Sequence, residues 1–329
     1  MGTYDTWIDR LATEARARLV REIDAAGVWA ADGVWREAFA AVPRHVFVPY
    51  YYAWAAGAGG GHERRWGESP DREDRERWVR GAYADVPLAT RMRDGELLSS
   101  SSRPSLMARM LVELRVGDGH RVLEVGAGTG YNAALLCHRL GDDGLVTTVD
   151  LDPEITESAR RHLAEAGHHP LVVTGDGARG VPRRAPFDRI IATCELPTVP
   201  RAWLAQCRPG ARVLTPLATG LVALTVRDAG HAEGRFLDQP AHFVPLRGTG
   251  RTANPDGVLP GRLPRRARGQ EPFRFLLGLV RGALGPCEAL ALWEGEGRPD
   301  RERYGVTVSA ERAWAWLDDP AGPYAWPLP

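Results

Sequence analysis

The chemistry this chain can support starts from one acidic residue and the glycines that follow it. Val122–Leu136 reads VLEVGAGTGYNAALL, in which β-formers surround Glu124, Gly126-Ala127-Gly128-Thr129-Gly130 follows, and a helical apolar pattern comes next. A strand ending in such a turn and opening a helix lets a ligand lie against bare backbone. Glu124, two places before the first glycine, suits a positively charged amino-acid moiety better than a phosphate. Two more carboxylates follow at the ends of expected strands. Asp150, twenty-four positions beyond Gly126, stands where a strand tip holds the two hydroxyls of a ribose. A capping role for Asp150 is weakened because Asp152, just before Pro153, already fills it. Asp176 in Gly175-Asp176-Gly177 can accept from an adenine amino group while the Gly177 N–H meets a ring nitrogen. Alone, GDG is more often a plain turn; in series with the other two motifs it favours a ligand. Ser99–Ser102 supplies four hydroxyls ahead of Arg103-Pro104, and by residue type alone it reads as a flexible polar loop ending in a helix cap.

The elements that must position these residues alternate. Expected are a helix over 104–115 with Ser102 or Pro104 near its start, strand 121–125, helix 130–140, strand 145–149 and helix 153–166. Strands 171–174 and 188–193, helix 200–206 and strands 211–216 and 221–227 complete the run. Alternation of this kind argues for a doubly wound parallel sheet whose ligand crevice lies at the strands' C-terminal ends. Residues 4–42 carry a helical period. Residues 57–80, GAGGG and then a dense run of both charges, read as a loop or a weak surface helix. Arg247–Pro272 is a Gly/Pro/Arg-rich connector, and two strand-like segments with a Trp-rich tail follow it. The expected domains are an N-terminal helical, substrate-side region (1–103), a ligand-binding core (104–247) and a C-terminal accessory domain (248–329).

Bulk properties narrow the function classes. The 329 residues carry 42 basic and 42 acidic side chains, so no global field points to nucleic acid or membrane. No lysine occurs; with the Ala, Gly and Pro richness this reflects compositional bias rather than adaptation. Cys137, Cys194, Cys207 and Cys287 are scattered without CxxC or metal-ligand spacing, so no metal is expected and a reducing cytoplasm is the natural compartment. No apolar run reaches signal-peptide or transmembrane length. The oligomeric state is left open.

Spacing separates two ligand classes. Dinucleotide enzymes use GxGxxG, whereas here the spacing is GxGxG and the would-be third glycine is Tyr131. The turn resembles motif I of the S-adenosylmethionine (AdoMet)-dependent methyltransferases, which implies a Rossmann-like class I methyltransferase fold. On this reading the cofactor set is Glu124, Gly126, Ala127, Gly128, Thr129, Gly130, Asn132, Asp150, Leu151, Asp176, Gly177 and Thr193. An NAD(P)-dependent oxidoreductase is disfavoured by the spacing and by the lack of a Tyr–Lys pair. A catalytically silent AdoMet-binding scaffold remains as a third class.

From about residue 34 to 247 the chain resembles the protein-L-isoaspartate O-methyltransferases. The likeness rests on AFAAVPRHVFVP (38–49), AYADVPL (82–88), motif I, GDG, FDRIIATCELPTVPRAWLAQCRPGARVLTPL (187–217) and HFVPL (242–246). The family's catalytic segment, roughly T-I-S-x-P, corresponds to Ser100-Ser101-Ser102-Arg103-Pro104. The resemblance therefore implies Ser102 as the active-site hydroxyl, with Ser101 as the fallback, and a peptide or protein substrate carrying Asp or isoAsp. Arg103, Cys194, Glu195, Arg265 and Arg266 are the candidate substrate-side residues. The serine-rich segment departs from the family pattern. So does the region after 247, whose WLDDP (316–320) is similar to methyltransferases that act on ribosomally made peptides such as graspetides, lanthipeptides and lasso peptides. In those, an aspartyl methyl ester collapses to an aspartimide.

Overall fold

The helical period over residues 4–42 resolves into α1 (Asp5–Ala25) and α2 (Gly33–Ala41). They bury Leu19 and Ile23 from one and Trp35 and Phe39 from the other. The structure, a computed structural model, describes residues 5–29, 33–54, 62–248 and 263–329. Two compact units are formed, Met1–Gly175 and Asp176–Pro329. The ranges 1–103, 104–247 and 248–329 accordingly stand as a proposal about function.

In the first unit a short helix α3 (Arg44–Phe47) leads into β1 (Tyr50–Trp54) and β2 (His62–Trp66), and then α4 (Arg72–Ala82). The charge-dense segment is thus a strand and a capped helix; GAGGG lies outside the described residues. Asp71 caps α4 by accepting from the Glu73 and Asp74 amides. The charges hid a narrow apolar side, on which Trp78, Val79 and Ala82 are buried and Trp78 Nε1 donates to the Val48 carbonyl at 2.8 Å. Next come β3 (Leu88–Arg93) and β4 (Glu96–Ser101), which complete an antiparallel sheet in the order β2-β1-β3-β4. Tyr51, Leu88 and Ser101 are buried on its core face, whereas Tyr52, Ala89 and Ser100 are half-buried on the other.

This sheet corrects the expectation of a flexible serine loop. Ser99–Ser101 form the end of β4, and the two buried hydroxyls have partners, Ser99 Oγ accepting from Thr90 Oγ1 at 3.2 Å and Ser101 Oγ from Arg44 at 3.2 Å, which is how serines can be buried. Nor does Ser102 cap the following helix, α5 (Pro104–Leu114): Arg103 occupies the cap position without a side-chain bond and Pro104 is the first helical residue.

The alternating core follows the sequence closely: β5 (Val122–Val125), α6 (Tyr131–Leu140), β6 (Val146–Asp150), α7 (Pro153–Glu165) and β7 (Leu171–Thr174). The three strands are parallel, and β5 and β6 are buried on both faces, as expected of a parallel sheet, with Glu124, Thr147 and Thr148 as their buried polar residues. Asp152 caps α7 through the Glu154 and Ile155 amides, as its position before Pro153 suggested.

In the second unit β8 (Phe187–Ala192), α8 (Arg201–Leu204) and β9 (Cys207–Leu217) continue the α/β pattern, with β8 and β9 parallel. From there the architecture is mixed rather than doubly wound throughout. β10 (Gly220–Asp228) and β11 (His231–Pro240) return antiparallel. The polar text of β11 concealed a strand that buries Ala232 and Phe236. After the connector come α9 (Arg265–Arg268), α10 (Glu271–Leu279) and α11 (Pro286–Gly295). Strands β12 (Tyr304–Val308), β13 (Ala313–Leu317) and β14 (Ala325–Pro327) then extend the sheet outward from β11.

The C-terminal region shares its core with β11. Phe236 and Phe275 meet edge-on at 4.8 Å, Phe275 and Tyr304 at 5.5 Å, and Trp316 Nε1 donates to Thr307 Oγ1 at 2.9 Å. Trp293, Trp316 and Trp326 are buried, while Trp314 is half-buried. A chain ending at residue 247 would bare Phe236 and leave β11 as an unpaired edge. Such a truncation is expected to aggregate on expression; soluble protein with full AdoMet affinity would refute that. Among the described residues no helix is long and apolar enough to cross a membrane.

Candidate functional site

The glycine turn after β5 is built by backbone conformations that side chains resist. Gly126, Gly128 and Gly130 have φ of 100°, 51° and 89°. A Cβ on Gly130 would meet Leu163 at 3.2 Å and the Ala159 carbonyl at 3.3 Å, so the turn packs directly on α7. A Cβ on Gly128 would lie 3.6 Å from the Ser100 carbonyl and 3.9 Å from Ser99 Oγ. The glycine turn and the serine strand therefore face each other across a gap that the bare backbone keeps open. Asp150, half-buried at the tip of β6, accepts from the Gly128 amide at 3.3 Å and, through its other oxygen, from the Asp152 amide at 3.3 Å. Leu151 beside it is exposed. Ala127, Thr129 and Asn132 are buried in and just after the turn.

Glu124 lies beneath this turn at 1% exposure. One of its oxygens accepts from Asn132 Nδ2 at 2.8 Å and the other from Thr148 Oγ1 at 2.6 Å. Burial outweighs those bonds, and Asp150 adds to it, so the carboxyl is lifted from 4.5 to about 7. A carboxyl whose folded value exceeds its unfolded one keeps its proton longer in the folded state, so stability falls as pH rises between those two values. Glu124→Gln removes that titration. Its stability relative to the parent is expected to rise between pH 5 and pH 8 by up to about 3 kcal/mol, since one carboxyl contributes roughly 1.4 kcal/mol for each pH unit separating its folded and unfolded values. Denaturant melts of both proteins at the two pH values check this, since any constant cost of the amide cancels in the comparison; parallel curves would refute it.

Arg44 organises the serine strand, and the sequence reading gave it no role. The side chain is fully buried at 0% exposure. Nη1 donates to the carbonyls of Ala82 at 2.7 Å and Ala84 at 3.2 Å. Nη2 reaches the Ser102 carbonyl at 3.1 Å, Ser101 Oγ at 3.2 Å and the Ser101 carbonyl at 3.4 Å. Burial lowers its pKa from 12.5 to about 10, which leaves it charged at neutral pH. A lone arginine in the apolar run VPRHVFVP was the available signal. Ser101, the fallback hydroxyl, is thus 4% exposed and committed to Arg44. Ser102 is half-buried, and its Oγ makes no hydrogen bond among the described residues. Arg103 is exposed, with Nε on Ser105 Oγ at 3.1 Å and 3.8 Å from Asp85.

The remaining candidates belong to the second unit. Asp176 caps a short turn by accepting from the Ala178 amide at 2.9 Å, and the buried Gly177 offers its carbonyl to Trp203 Nε1 at 2.8 Å. A cleft of about 650 Å³ opens beside Asp176, lined also by Arg179, Pro182, Ala202 and Gln206. Thr193 is half-buried and Cys194 is buried. Glu195 is pinned by its backbone to Val244 and Leu246, and burial raises its carboxyl against the pull of Arg281. Arg265 and Arg266 are exposed on α9, with Arg266 3.7 Å from Glu294; Arg262 of the same basic run lies outside the described residues.

A parallel strand, a glycine cradle opening a helix, and a carboxylate at the tip of the next strand define a class I AdoMet-dependent methyltransferase. The profile of the protein-L-isoaspartate(D-aspartate) O-methyltransferase (PCMT) family matches residues 69–250. A protein-L-isoaspartate O-methyltransferase of Methanopyrus kandleri is 36% identical over 64% of this chain and 79% of its own length. One from Aeropyrum pernix is 34% identical over 71% and 80%. The chain belongs to the protein-L-isoaspartate O-methyltransferase family and is an AdoMet-dependent enzyme. In fold, a solved protein-L-isoaspartate O-methyltransferase aligns over 95% of this chain and 98% of its own, with a TM-score of 0.61 at 23% identity. A structure from Plasmodium falciparum in complex with S-adenosyl-L-homocysteine aligns over 70% and 97%, with a TM-score of 0.51 at 14% identity.

Proposed function

We propose that this enzyme methylates an aspartyl or isoaspartyl carboxylate oriented by Ser102, and that the acceptor sits in a ribosomally made peptide whose methyl ester closes to an aspartimide. The observation that carries the acceptor site is the Ser102 hydroxyl, without a hydrogen-bond partner among the described residues while Arg44 fixes the backbone on which it stands. AdoMet supplies an already activated sulfonium methyl when bound. The open cradle at Gly128 and the carboxylate of Asp150 fit such a group, with Glu124 acting through the turn. The acceptor is ionised at neutral pH and needs no general base. What the chain supplies is position: Ser102 donates to one carboxylate oxygen and leaves the other free to attack.

The serine-rich segment and the WLDDP tail support the peptide-maturation reading. Ordinary repair of isoaspartyl residues is the second reading. It is favoured by the alignment over 95% of this chain, because a fold-level counterpart then extends well into the residues after 247. Incubation with labelled AdoMet and paired peptides that differ only in Asp or isoAsp separates them. Methylation confined to isoAsp would exclude peptide maturation.

For the cofactor, Asp150→Ala is expected to weaken AdoMet binding by about 1–3 kcal/mol, the cost of leaving buried hydroxyls without a charged acceptor. Unchanged affinity by calorimetry would remove Asp150 from the site. The same readout on Asp176→Ala tests the assignment of Asp176, Gly177 and Thr193.

A further inference from the structure

Strands β1 and β2 lie before residue 69, where the family match begins, yet they are built into the sheet that carries the serines. The register draws one row across all four strands: Arg64 opposite Tyr52, Tyr52 opposite Ala89, and Ala89 opposite Ser100. All four residues lie on the face turned away from the buried Tyr51, Leu88 and Ser101. Tyr50 and Trp66 form the neighbouring pair of the same face. The guanidinium of Arg64 sits 4.4 Å from the Tyr50 ring and 5.8 Å from that of Trp66. Arg64 is exposed and, among the described residues, makes no ion pair. Stacking of this kind holds the arginine plane in place and leaves its donor fork free for a carboxylate.

Resting on the assignment of Ser102 above, we propose that this face docks the substrate polypeptide beside its acceptor residue and that Arg64 receives an acidic side chain of that peptide. The occupant is acidic because the one charged group of the row is a cation with no ion pair among the described residues, and it is peptide because the row ends at Ser100, two residues from Ser102. Three strand spacings of about 4.8 Å place Arg64 roughly 14 Å from β4, the reach of about four or five extended residues. The surface therefore selects a carboxylate four or five positions from the acceptor, on one side of it.

The full-length enzyme and fluorescent peptides test this. The peptides carry one Asp or isoAsp acceptor and Glu, Gln or Lys at the fourth or fifth position on either side. Anisotropy is expected to rank Glu above Lys by about tenfold on one side only, an effect the size of a modest ion pair and its reversal. Arg64→Glu should invert that ranking, with melting temperature and AdoMet affinity unchanged. Tyr52→Ala should weaken all the peptides together. An equal ranking of Glu and Lys, or a ranking that Arg64→Glu leaves intact, overturns the proposal. Methyl incorporation read in parallel keeps the two readings apart: charge-selective binding without transfer would remove the acceptor assignment and leave this surface standing.

Discussion

Ser102→Ala is expected to lower single-turnover methyl transfer by about a hundredfold, the scale of a small misplacement of reacting atoms, while AdoMet affinity and melting temperature stay at the parent values. The geometry makes the separation clean. Ser102 Oγ holds nothing together inside the described structure, and the first free amide of the helix that follows, that of Ser105, donates to Asp85 Oδ1 at 2.8 Å rather than to this side chain. Removing the hydroxyl therefore costs no internal bond, whereas a capping serine would cost about 1 kcal/mol of stability. The cradle proposed for AdoMet is backbone at Gly126–Gly130 and the side chain of Asp150, which the substitution does not touch. On the proposed assignment, what is lost is one donor to the acceptor carboxylate, which lets the attacking oxygen leave the line of the transferring methyl. The rate should fall in turnover more than in apparent peptide affinity, as expected for an interaction made chiefly on the way to the transition state. Ser101→Ala is the comparison: with its hydroxyl 3.2 Å from Arg44, it should cost stability and a smaller part of the rate. A Ser102→Ala enzyme with parental single-turnover rate would move the acceptor site elsewhere.

Legibility in the sequence tracked how local each feature was. The run from β5 to β7 was readable almost to the residue. Parallel strands buried on both faces are rich in β-branched residues, and Asp152-Pro153 and the glycines mark where helices start. The glycine turn, Glu124, Asp150 and Asp176 stood out as candidates because strand–turn–helix places such residues at fixed offsets. The small sheet was missed for the opposite reason. Its strands hold serines, tyrosines and arginines, and each makes sense only beside a partner from far along the chain. Tyr52 pairs with Arg64 on one side and Ala89 on the other, and no short window contains all three. β11 escaped because only Ala232 and Phe236 of its ten residues are buried. The tryptophans of the tail read alike in the sequence; the structure buries Trp293 beside Phe273 at 5.3 Å and Trp316 with its indole N–H on Thr307, while Trp314 stays half-buried. Arg44 was the costliest omission. Nothing local distinguishes an arginine bound to carbonyls 38 and 58 positions away from a solvated one.

That arginine yields the largest expected loss of stability. Arg44→Met keeps most of the volume and removes the donors, leaving the carbonyls of Ala82, Ala84, Ser101 and Ser102 without the guanidinium that reaches them. A buried acceptor stripped of its partner costs about 1–3 kcal/mol, and relief from burying a charge offsets part of the sum. A net loss of about 3 kcal/mol is expected, read as a shift in the denaturation midpoint. Activity should fall as well, because the two segments joined here are the turn before β3 and the strand end that carries Ser102. Arg44→Lys separates charge from shape. Lysine keeps the cation but offers a point charge where the site uses a planar fork spanning two segments. If Arg44 positions Ser102, the lysine variant should recover part of the stability while turnover stays depressed and the KM for the acceptor peptide rises. If only positive charge behind the acceptor matters, lysine should restore turnover nearly in full. An Arg44→Met enzyme as stable and as active as its parent would show that the carbonyls find other donors and that the strand needs no such tie.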